Sequence, residues 1–257
     1  MTNTHIKVTK NGDVGMIQLN RPEVANALNR KMVTEIVEQM EAYDHDESVR
    51  VILLHGSEKA FAAGADIDEM ADETALSLEL ANPFAVWDRL RLIKKPTIAA
   101  VNGFALGGGF ELALHCDLIV AAENAKFGFP EVTLGIMPGA GGTQFLTRAM
   151  GRTKALEWLW LGVPMSARQA LNDGVINRVV APELVEEESI RLANQLAKQA
   201  PISLHLIKEA VDAACDLSLT DGMNLERKNF YLAFASEDQK EGMKAFIEKR
   251  RPSFKGV

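Results

Sequence analysis

The stretch Asn102-Gly103-Phe104-Ala105-Leu106-Gly107-Gly108-Gly109-Phe110-Glu111 carries three consecutive glycines shortly before a glutamate. Glycines in a row lose much backbone entropy on folding and pack no side chain, so a stable domain keeps them where a Cβ would obstruct a close approach. An apolar run at 97–101 precedes the stretch, and a helix is predicted from about residue 108 to 115. This order of strand, glycine loop and helix indicates an α/β protein whose loop brings backbone against a ligand.

A second glutamate lies beside another glycine-rich stretch. Phe127-Gly128-Phe129-Pro130-Glu131 is followed, after a short apolar run, by Pro138-Gly139-Ala140-Gly141-Gly142-Thr143. A carboxyl next to Phe129 and that apolar run is expected to have a raised pKa and to act as an acid. Paired carboxylates beside exposed backbone N–H groups suit proton transfer at a carbon next to a carbonyl. Each glutamate taken alone fits an ordinary structural role equally well, and their co-occurrence is what favours catalysis.

A third stretch of small residues, Lys59-Ala60-Phe61-Ala62-Ala63-Gly64-Ala65-Asp66, leads from a predicted strand to a predicted helix. The N–H groups of Ala65 and Gly108 are each at or near a helix start, where donors lack intrahelical partners and negative charge is favoured. Two such donors that converge would form an oxyanion hole. On spacing alone, two tight turns without a ligand are an equally good interpretation. Glu111 falls one helical turn after Gly108, which places its carboxylate near that donor.

Composition sets the broad class of protein. The 257 residues carry 47% apolar and 25% charged side chains, as expected of one large globular domain or one domain with a small appendage. A net charge of −7 disfavours a nucleic-acid surface. Cys116 and Cys215 are far apart and are expected to be unpaired thiols in a reducing compartment. Because residues 1–20 show no secretory or transit pattern and no membrane-length apolar run follows, a cytoplasmic location, most simply bacterial, is expected. A transit peptide removed before residue 1 would leave no trace.

Apolar patterning predicts a largely parallel sheet followed by a helical tail. Asn29 is expected to cap a helix with apolar residues at i, i+3 and i+4 spacing, and residues 67–94 are expected to be mostly helical. Predicted strands lie at 14–19, 49–55, 97–101, 117–122 and 175–180. Four later helices are predicted to begin at Pro182, Pro201, Thr220 and a Ser236–Gln239 capping box, and the last is predicted to stop at Pro252. Strand, loop and helix recur only loosely, without a strict sequence repeat.

The predicted tail of about seventy residues would expose apolar stripes unless it packs on the core or on another subunit. Oligomerisation through this tail is the more economical interpretation.

Other catalytic motifs are weaker. The sequence lacks a GxSxG elbow, a GxxxxGK[ST] loop and an HExxH motif. Neighbours in the triplet His115-Cys116-Asp117 point apart, which favours structural roles. Asp66, Asp68 and Glu69 are compatible with a metal site, but acids in the first turn of a helix are expected from the dipole alone. The remaining histidines share no spacing and are assigned to the surface or to packing: His5, His45, His55 and His205.

The segments 62–66, 99–117 and 127–143 closely resemble the crotonase superfamily and, within it, the short-chain enoyl-CoA hydratases. The resemblance runs from about residue 16 to 254 and includes the segment 241–250. It implies an α/β spiral of ββα units at 1–195 and a helical oligomerisation region at 196–257, which builds trimers or dimers of trimers. The implied reaction adds water across the 2,3 double bond of a trans-2-enoyl-CoA to give a 3-hydroxyacyl-CoA, in fatty-acid β-oxidation or related acyl-CoA catabolism.

The resemblance also assigns residues. It makes Glu111 and Glu131 catalytic, with Glu111 helping to activate water for attack at C3 and Glu131 delivering a proton to C2. It makes Ala65 and Gly108 the oxyanion-hole donors. Further substrate contacts are implied at Lys59, Ala63, Asp66, Ile67 and Gly139, and from a neighbouring subunit at Phe246 and Lys249. No cofactor and no metal is implied, since CoA is part of the substrate, and no nucleic-acid or membrane partner is expected.

Some features depart from the pattern or leave alternatives. Many relatives have lysine where this chain has Glu23 and Asp68, which puts the contacts to the CoA phosphates in doubt. A branched-substrate hydratase, such as one acting on 3-methylglutaconyl-CoA, stays open because the acyl pocket is not identified by spacing; residues 72–90, with Trp87, are candidates for it. An enoyl-CoA isomerase is the other enzymatic alternative, but isomerases typically dispense with one carboxylate. A non-catalytic RNA-binding or scaffold role is disfavoured by the acidic balance and by the two acids beside two donor loops.

Overall fold

Ten strands form two sheets in the computed structural model, which describes residues 4–257. The larger sheet has the order β1-β2-β3-β5-β7-β10 and the smaller one the order β4-β6-β8-β9. The larger sheet contains β1 (Ile6–Asn11), β2 (Val14–Leu19), β3 (Val51–His55), β5 (Thr97–Val101), β7 (Leu118–Ala122) and β10 (Arg178–Val180). The smaller sheet contains β4 (Ala60–Ala62), β6 (Phe104–Leu106), β8 (Lys126–Gly128) and β9 (Met165–Ser166). Pairing is parallel except for β1 with β2 and β8 with β9.

The chain advances as a spiral. The pairs β3–β4, β5–β6 and β7–β8 each add one strand to the larger sheet and the next strand to the smaller sheet, and helical segments follow each pair. The fold predicted from the resemblance, an α/β spiral of ββα units with C-terminal helices, is therefore confirmed. Residues 51–54 are fully buried, as expected for a parallel strand covered on both faces.

Eleven α-helices lie within residues 4–257. They are α1 (Arg30–His45), α2 (Ala75–Ala81), α3 (Ala85–Asp88), α4 (Gly108–Leu114), α5 (Gly142–Met150), α6 (Arg152–Leu161), α7 (Ala167–Asn172), α8 (Val185–Leu196), α9 (Pro201–Ala213), α10 (Leu219–Ala233) and α11 (Glu237–Glu248). As predicted, the Asn29 side chain caps α1 by accepting a hydrogen bond from the Met32 N–H at 2.8 Å.

An aromatic cluster packs α4 against the smaller sheet. The buried ring of Phe110 lies 5.0 Å from the ring of Phe127 and 5.0 Å from that of Phe129, centroid to centroid. Trp158 of α6 closes the cluster at 6.4 Å from Phe110. Since Glu111 is the next residue after Phe110, this packing sets the direction in which its carboxylate leaves the helix.

The structure corrects several predicted boundaries. Residues 67–94 are mostly helical, as predicted, but the helical residues are divided among α2, α3 and the 3-10 turns Ile67–Glu69 and Arg89–Leu92 and do not form one continuous helix. Of the residues predicted to form a strand at 175–180, only the last three, Arg178–Val180, do so. The strand predicted at 49–55 begins two residues later, and α10 begins one residue earlier than predicted.

The capping box before α11 is only half formed. Ser236 Oγ accepts from the Gln239 N–H at 3.1 Å, but the Gln239 side-chain amide donates to Met243 Sδ instead of returning to residue 236. The Ser236 N–H donates to the Ala233 carbonyl, so the box is unnecessary there. The helix also ends before Pro252, because Lys249 adopts φ +54° directly after Glu248.

The helical tail is attached to the core by polar contacts. Lys208 Nζ of α9 lies 2.9 Å from Asp117 Oδ2, and Arg50 Nη2 donates to the Phe254 carbonyl at 2.9 Å. Asp238 of α11 is buried and accepts the N–H groups of Lys255 and Gly256. The predicted domain boundary between 195 and 196 falls at the last residue of α8, a helix that contacts β3, β5 and β7; residues 1–3 of the predicted core lie outside the described residues. Within residues 4–257, no helix combines the length and apolar character needed to span a bilayer.

Candidate active site

A buried asparagine holds the loop that follows β4. Asn26 Nδ2 donates to the carbonyls of Ala60 and Phe61 at 3.2 and 3.0 Å, and its Oδ1 accepts from the Arg21 N–H at 2.8 Å. Asn26 adopts φ +57°, a conformation that asparagine tolerates better than most residues with a Cβ. All its polar groups therefore find partners inside the protein, as a fully buried amide requires.

Backbone hydrogen bonds to the segment 25–28 orient the rest of that loop. The Ala63 N–H donates to Ala25 O at 3.0 Å, and the Leu28 N–H donates to Gly64 O at 2.8 Å. The amide of Ala65 has no acceptor within residues 4–257, and Ala65 is exposed. The loop thus presents one free N–H donor at a fixed position.

The glycines at the start of α4 bring a second donor to the same place. A Cβ on Gly109 would lie 2.2 Å from the Ala62 carbonyl oxygen, so only glycine lets α4 approach β4 this closely. A Cβ on Gly108 would lie 3.7 Å from the Ala65 nitrogen. The Gly108 N–H is at the first position of α4 and has no acceptor within residues 4–257. The structure therefore brings the two predicted oxyanion-hole donors side by side.

Glu111 lies one turn further along α4 and is almost completely buried. Its Oε1 accepts hydrogen bonds from the N–H groups of Ala140 and Gly142 at 2.7 and 2.8 Å. Burial raises the pKa of Glu111 above its ordinary value, and the two amide hydrogen bonds oppose that rise. Its Oε2 accepts no hydrogen bond from residues 4–257, so this oxygen is available to a ligand.

Glu131, in the 3-10 turn Pro130–Leu134, lies close to the glycines before α4 and to Glu111. Its Oε1 lies 2.9 Å from the position that a Cβ on Gly107 would occupy, and Gly107 has φ +50°. Its Oε2 is buried without a hydrogen-bond partner in the described chain. Burial raises the pKa of Glu131 to about 7, with a further contribution from the charge of Glu111. The raised pKa predicted from its apolar neighbours is confirmed.

Aromatic rings cover the glycines of the loop that holds Glu111. A Cβ on Gly139 would lie 2.5 Å from Phe84 Cζ, and a Cβ on Gly141 or Gly142 would lie 2.6 Å from the ring of Phe145 or Phe129, respectively. The glycine content of 138–143 is therefore explained by close packing of rings against backbone. This contact also brings Phe84, from the 72–90 region, against Gly139.

The other predicted substrate contacts have varied surroundings. Lys59 and Ile67 are exposed near the donor loop, and the Asp66 carboxylate accepts from Arg21 Nη1 at 3.0 Å. On α11, the Phe246 side chain is 85% exposed, and Lys249 ends that helix. Asp66 thus has a partner within the chain. Phe246 and Lys249, at the end of α11, are exposed to solvent.

The two acids that depart from the family pattern, Glu23 and Asp68, are exposed. The alternative metal site at 66–69 is not supported: Asp66 pairs with Arg21, and Glu69 accepts from the Arg30 N–H at 2.8 Å. No cluster of three side chains able to hold a metal occurs within the described part of the chain.

The triplet at 115–117 is not a triad. His115 Nε2 lies 2.9 Å from the Ala140 carbonyl, Cys116 Sγ donates to the Leu112 carbonyl, and Asp117 binds Thr97 and Lys208. The three side chains point to different parts of the protein, as predicted.

Sequence reasoning missed the residues that support the site. Asn26 and the amides of Ala140 and Gly142 act through buried hydrogen bonds whose partners are distant in sequence. The glycines within 139–142 were the only sequence feature that pointed to the loop amides.

Two adjacent free amides and two carboxyls, one with a pKa near 7, define an acid–base enzyme that acts next to a carbonyl group. Comparison with known proteins identifies the family. Residues 9–257 match the family model described as enoyl-CoA hydratase/isomerase, and the chain belongs to this family.

Individual relatives cover nearly the whole chain. A probable enoyl-CoA hydratase of Rhizobium meliloti (strain 1021) is 48% identical, with 96% of each chain covered. The mitochondrial enoyl-CoA hydratase of Pongo abelii is 45% identical, with 96% of this chain and 85% of the relative covered. A crystal structure of enoyl-CoA hydratase subunit I from Geobacillus kaustophilus HTA426 is 62% identical, with a TM-score of 0.97 over 99% of each chain.

Proposed function

We propose that this protein is an enoyl-CoA hydratase, a carbon–oxygen lyase that adds water across the 2,3 double bond of a trans-2-enoyl-CoA. The product is a 3-hydroxyacyl-CoA, as in fatty-acid β-oxidation or related acyl-CoA catabolism. The observation that carries the proposal is the proximity of Glu111, Glu131 and two free amides around the start of α4. The full-length relatives named as enoyl-CoA hydratases support the same reaction.

The free amides of Ala65 and Gly108 would bind the thioester carbonyl oxygen. Attack of water at C3 moves electron density through the double bond onto that oxygen, and two N–H groups stabilise the resulting enolate more than the neutral carbonyl. A single donor of this kind contributes roughly a 100- to 1000-fold increase in rate. Because both donors are held by glycine contacts and by Asn26, the hole is formed before the substrate binds.

The two glutamates divide the proton transfers. Glu111, with Oε1 held by two amides, accepts a proton from water through Oε2 while the water oxygen bonds to C3. Glu131, with a pKa of about 7, is partly protonated at neutral pH and gives its proton to C2. The step leaves Glu111 protonated and Glu131 ionised, so a proton must pass from the first to the second, or through solvent, before the next turnover.

The test is loss of the ultraviolet absorbance of the conjugated thioester with crotonyl-CoA as substrate. We expect kcat to fall roughly 100-fold or more in Glu111→Gln and in Glu131→Gln. Glu157→Gln, at an exposed position on α6, is the matched control and should hydrate at the wild-type rate. Unchanged rates in both active-site variants would reject the mechanism.

The acyl group is addressed by comparing substrates. Crotonyl-CoA, longer straight-chain 2-enoyl-CoAs and 3-methylglutaconyl-CoA separate a straight-chain hydratase from a branched-substrate one. A 3-enoyl-CoA tests isomerase activity. We expect turnover of a straight-chain 2-enoyl-CoA, and we expect hydration to exceed isomerisation, since two carboxylates are suited to holding a water molecule.

The CoA contacts and the assembly are part of the same proposal. Lys59, Ala63, Asp66, Ile67 and the backbone at Gly139 would contact substrate from one chain, and Phe246 and Lys249 would contact it from a neighbour. The region 196–257 would build a trimer or a dimer of trimers, which the exposure of Phe246 supports. A cytoplasmic location is supported by two free thiols, Cys116 and Cys215.

A further inference from the structure

His115 directly follows α4 and comes four residues after Glu111. Its backbone N–H donates to the Glu111 carbonyl at 3.0 Å, which places the two side chains one helical turn apart. Its Nε2 lies 2.9 Å from the carbonyl oxygen of Ala140. A carbonyl oxygen only accepts, so Nε2 carries the hydrogen and donates it.

Ala140 is therefore held from both sides by one helix. Its N–H donates to Glu111 Oε1 at 2.7 Å, and its carbonyl accepts from His115. The Gly142 N–H donates to the same Glu111 oxygen at 2.8 Å. The loop that orients the Glu111 carboxylate is thus fixed to α4 by the histidine as well as by the carboxylate itself.

We propose that His115 is a positioning residue for hydration: its hydrogen bond to Ala140 holds the loop amides that orient and partly stabilise the Glu111 carboxylate. The inference rests on the proposed hydratase function and assigns His115 no contact with substrate.

The surroundings of the imidazole suit this role. Its ring packs edge-on against Phe145 at 4.9 Å and lies 5.9 Å from the ring of Trp87. Phe145 also lies against the backbone of Gly141, so the rings brace the loop between its two donor amides. Burial lowers the pKa of His115, and of the charged groups that face it Arg91 lowers the pKa further, whereas Asp88 raises it. The ring therefore stays neutral around pH 7, with the proton on Nε2.

A purely packing role makes a different prediction. A leucine of similar bulk would then preserve the chemistry, and any loss would follow from lower stability. A positioning role predicts a loss in kcat that a side chain with a suitably placed N–H donor restores, with little change in KM.

The experiment compares His115→Leu with His115→Gln in the crotonyl-CoA assay, with His45→Leu on the exposed end of α1 as the control. We expect kcat to fall about 10- to 100-fold in His115→Leu, because a hydrogen bond and the loop position are both lost. His115→Gln should recover most of that rate. The acidic limb of the kcat profile should move to higher pH in His115→Leu, because Glu111 loses donors that favour its ionised form.

A double-mutant comparison covers the case in which His115→Leu is unstable. In a Glu111→Gln background, where the carboxylate is already absent, replacing His115 by Gln or Asn should change the residual rate by less than about threefold. In the wild-type background His115→Asn, whose amide is too short to reach Ala140, should be slower than His115→Gln. Equal rates for these two variants, or a wild-type kcat in folded His115→Leu, would overturn the role of His115. Absence of hydration by the wild-type protein would instead reject the hydratase proposal itself.

Discussion

At the scale of single residues, the two buried carboxyl groups differ in their hydrogen bonds. Glu111 has two amide donors on one oxygen, whereas Glu131 has a buried oxygen with no partner in the described chain. Hydrogen bonds favour the ionised form of a carboxyl group and burial favours the protonated form. Burial raises the pKa of both carboxyl groups, and at Glu111 the two amide hydrogen bonds oppose that rise, which suits Glu111 to the proposed role of base and Glu131 to that of acid.

The raised pKa of Glu131 predicts the alkaline side of the pH profile. Glu131 acts as an acid and loses its proton as pH rises through about 7, so kcat should decline above that pH. Glu131→Gln cannot lose a proton at this position and should show no such decline in its much lower residual rate. Steady-state rates measured from pH 5 to 9, with Glu157→Gln as the control, test this; a basic limb that persists unchanged in Glu131→Gln would assign it to another group.

The same shift predicts a stability penalty. The pKa of Glu131 is raised from an ordinary 4.5 to about 7 in the folded protein, so its contribution to stability is fully present below about pH 4.5 and is lost as pH rises through 7. At pH 8 the ionised, half-buried carboxylate therefore destabilises the fold, and Glu131→Gln should raise Tm there by about 2–4 °C. The gain should vanish near pH 4. Thermal unfolding at the two pH values checks this, and a gain of equal size at both would contradict ionisation as its cause.

At the scale of elements, the contact between α4 and β4 depends on a missing side chain. Gly109→Ala would place a Cβ 2.2 Å from the backbone oxygen of Ala62, and backbone cannot yield as a flexible side chain can. We expect a loss of about 1–3 kcal/mol in the free energy of unfolding, with reduced kcat because Gly108 moves away from Ala65.

Gly222, in α10, provides the matched control for Gly109. No atom lies within 4 Å of the position that its Cβ would take, and it is inside a helix. Gly222→Ala should therefore raise the free energy of unfolding by about 0.4–1 kcal/mol. Denaturant titrations of both variants measure their free energies of unfolding. A similar destabilisation in both would contradict the assignment of the Gly109→Ala loss to the contact with Ala62.

The elements that the sequence predicted well are those whose signal is local. The strand 97–101 and the helix cap at Asn29 follow from a continuous apolar run and from one side chain accepting a nearby N–H. The strands of the smaller sheet are only two or three residues long, too short for any periodicity to appear. The role of Asn26 was out of reach for another reason: its partners at 60 and 61 become neighbours only when the chain has folded.

In the candidate site too, features with a local sequence signal could be predicted, and features that depend on distant contacts could not. Glu111, Glu131 and the two donor amides could be proposed from the sequence because glycines mark close backbone approach. The loop amides that hold Glu111, and the histidine behind them, depend on a contact between segments about thirty residues apart. Residue types alone make His115 look like an ordinary packing residue, and only the distance to Ala140 indicates more.

At the scale of the whole molecule, the C-terminal helices expose many large apolar side chains, as interaction surfaces do. The exposed fraction is 81% for Leu219, 78% for Ile247 and 85% for Phe246, and other large apolar side chains of α9 and α10 are more than half exposed. Scattered exposed apolar residues need no explanation, but this concentration on the C-terminal helices matches the proposed subunit contact.

The proposed subunit contact on α11 should affect both the oligomeric state and the binding of substrate. We expect light scattering at micromolar concentration to give the mass of a trimer or a hexamer for the wild-type protein. Phe246→Asp places a charge on the proposed contact and should lower the mass toward the monomer, since burying an unpaired carboxylate is costly. It should also raise KM for crotonyl-CoA, because Phe246 and Lys249 are proposed to reach the CoA of the adjacent subunit. Glu157→Gln, an exposed position on α6 outside the C-terminal helices, should change neither quantity. A wild-type monomer, or a Phe246→Asp variant that keeps both its mass and its KM, would show that α11 does not complete the site of a neighbour.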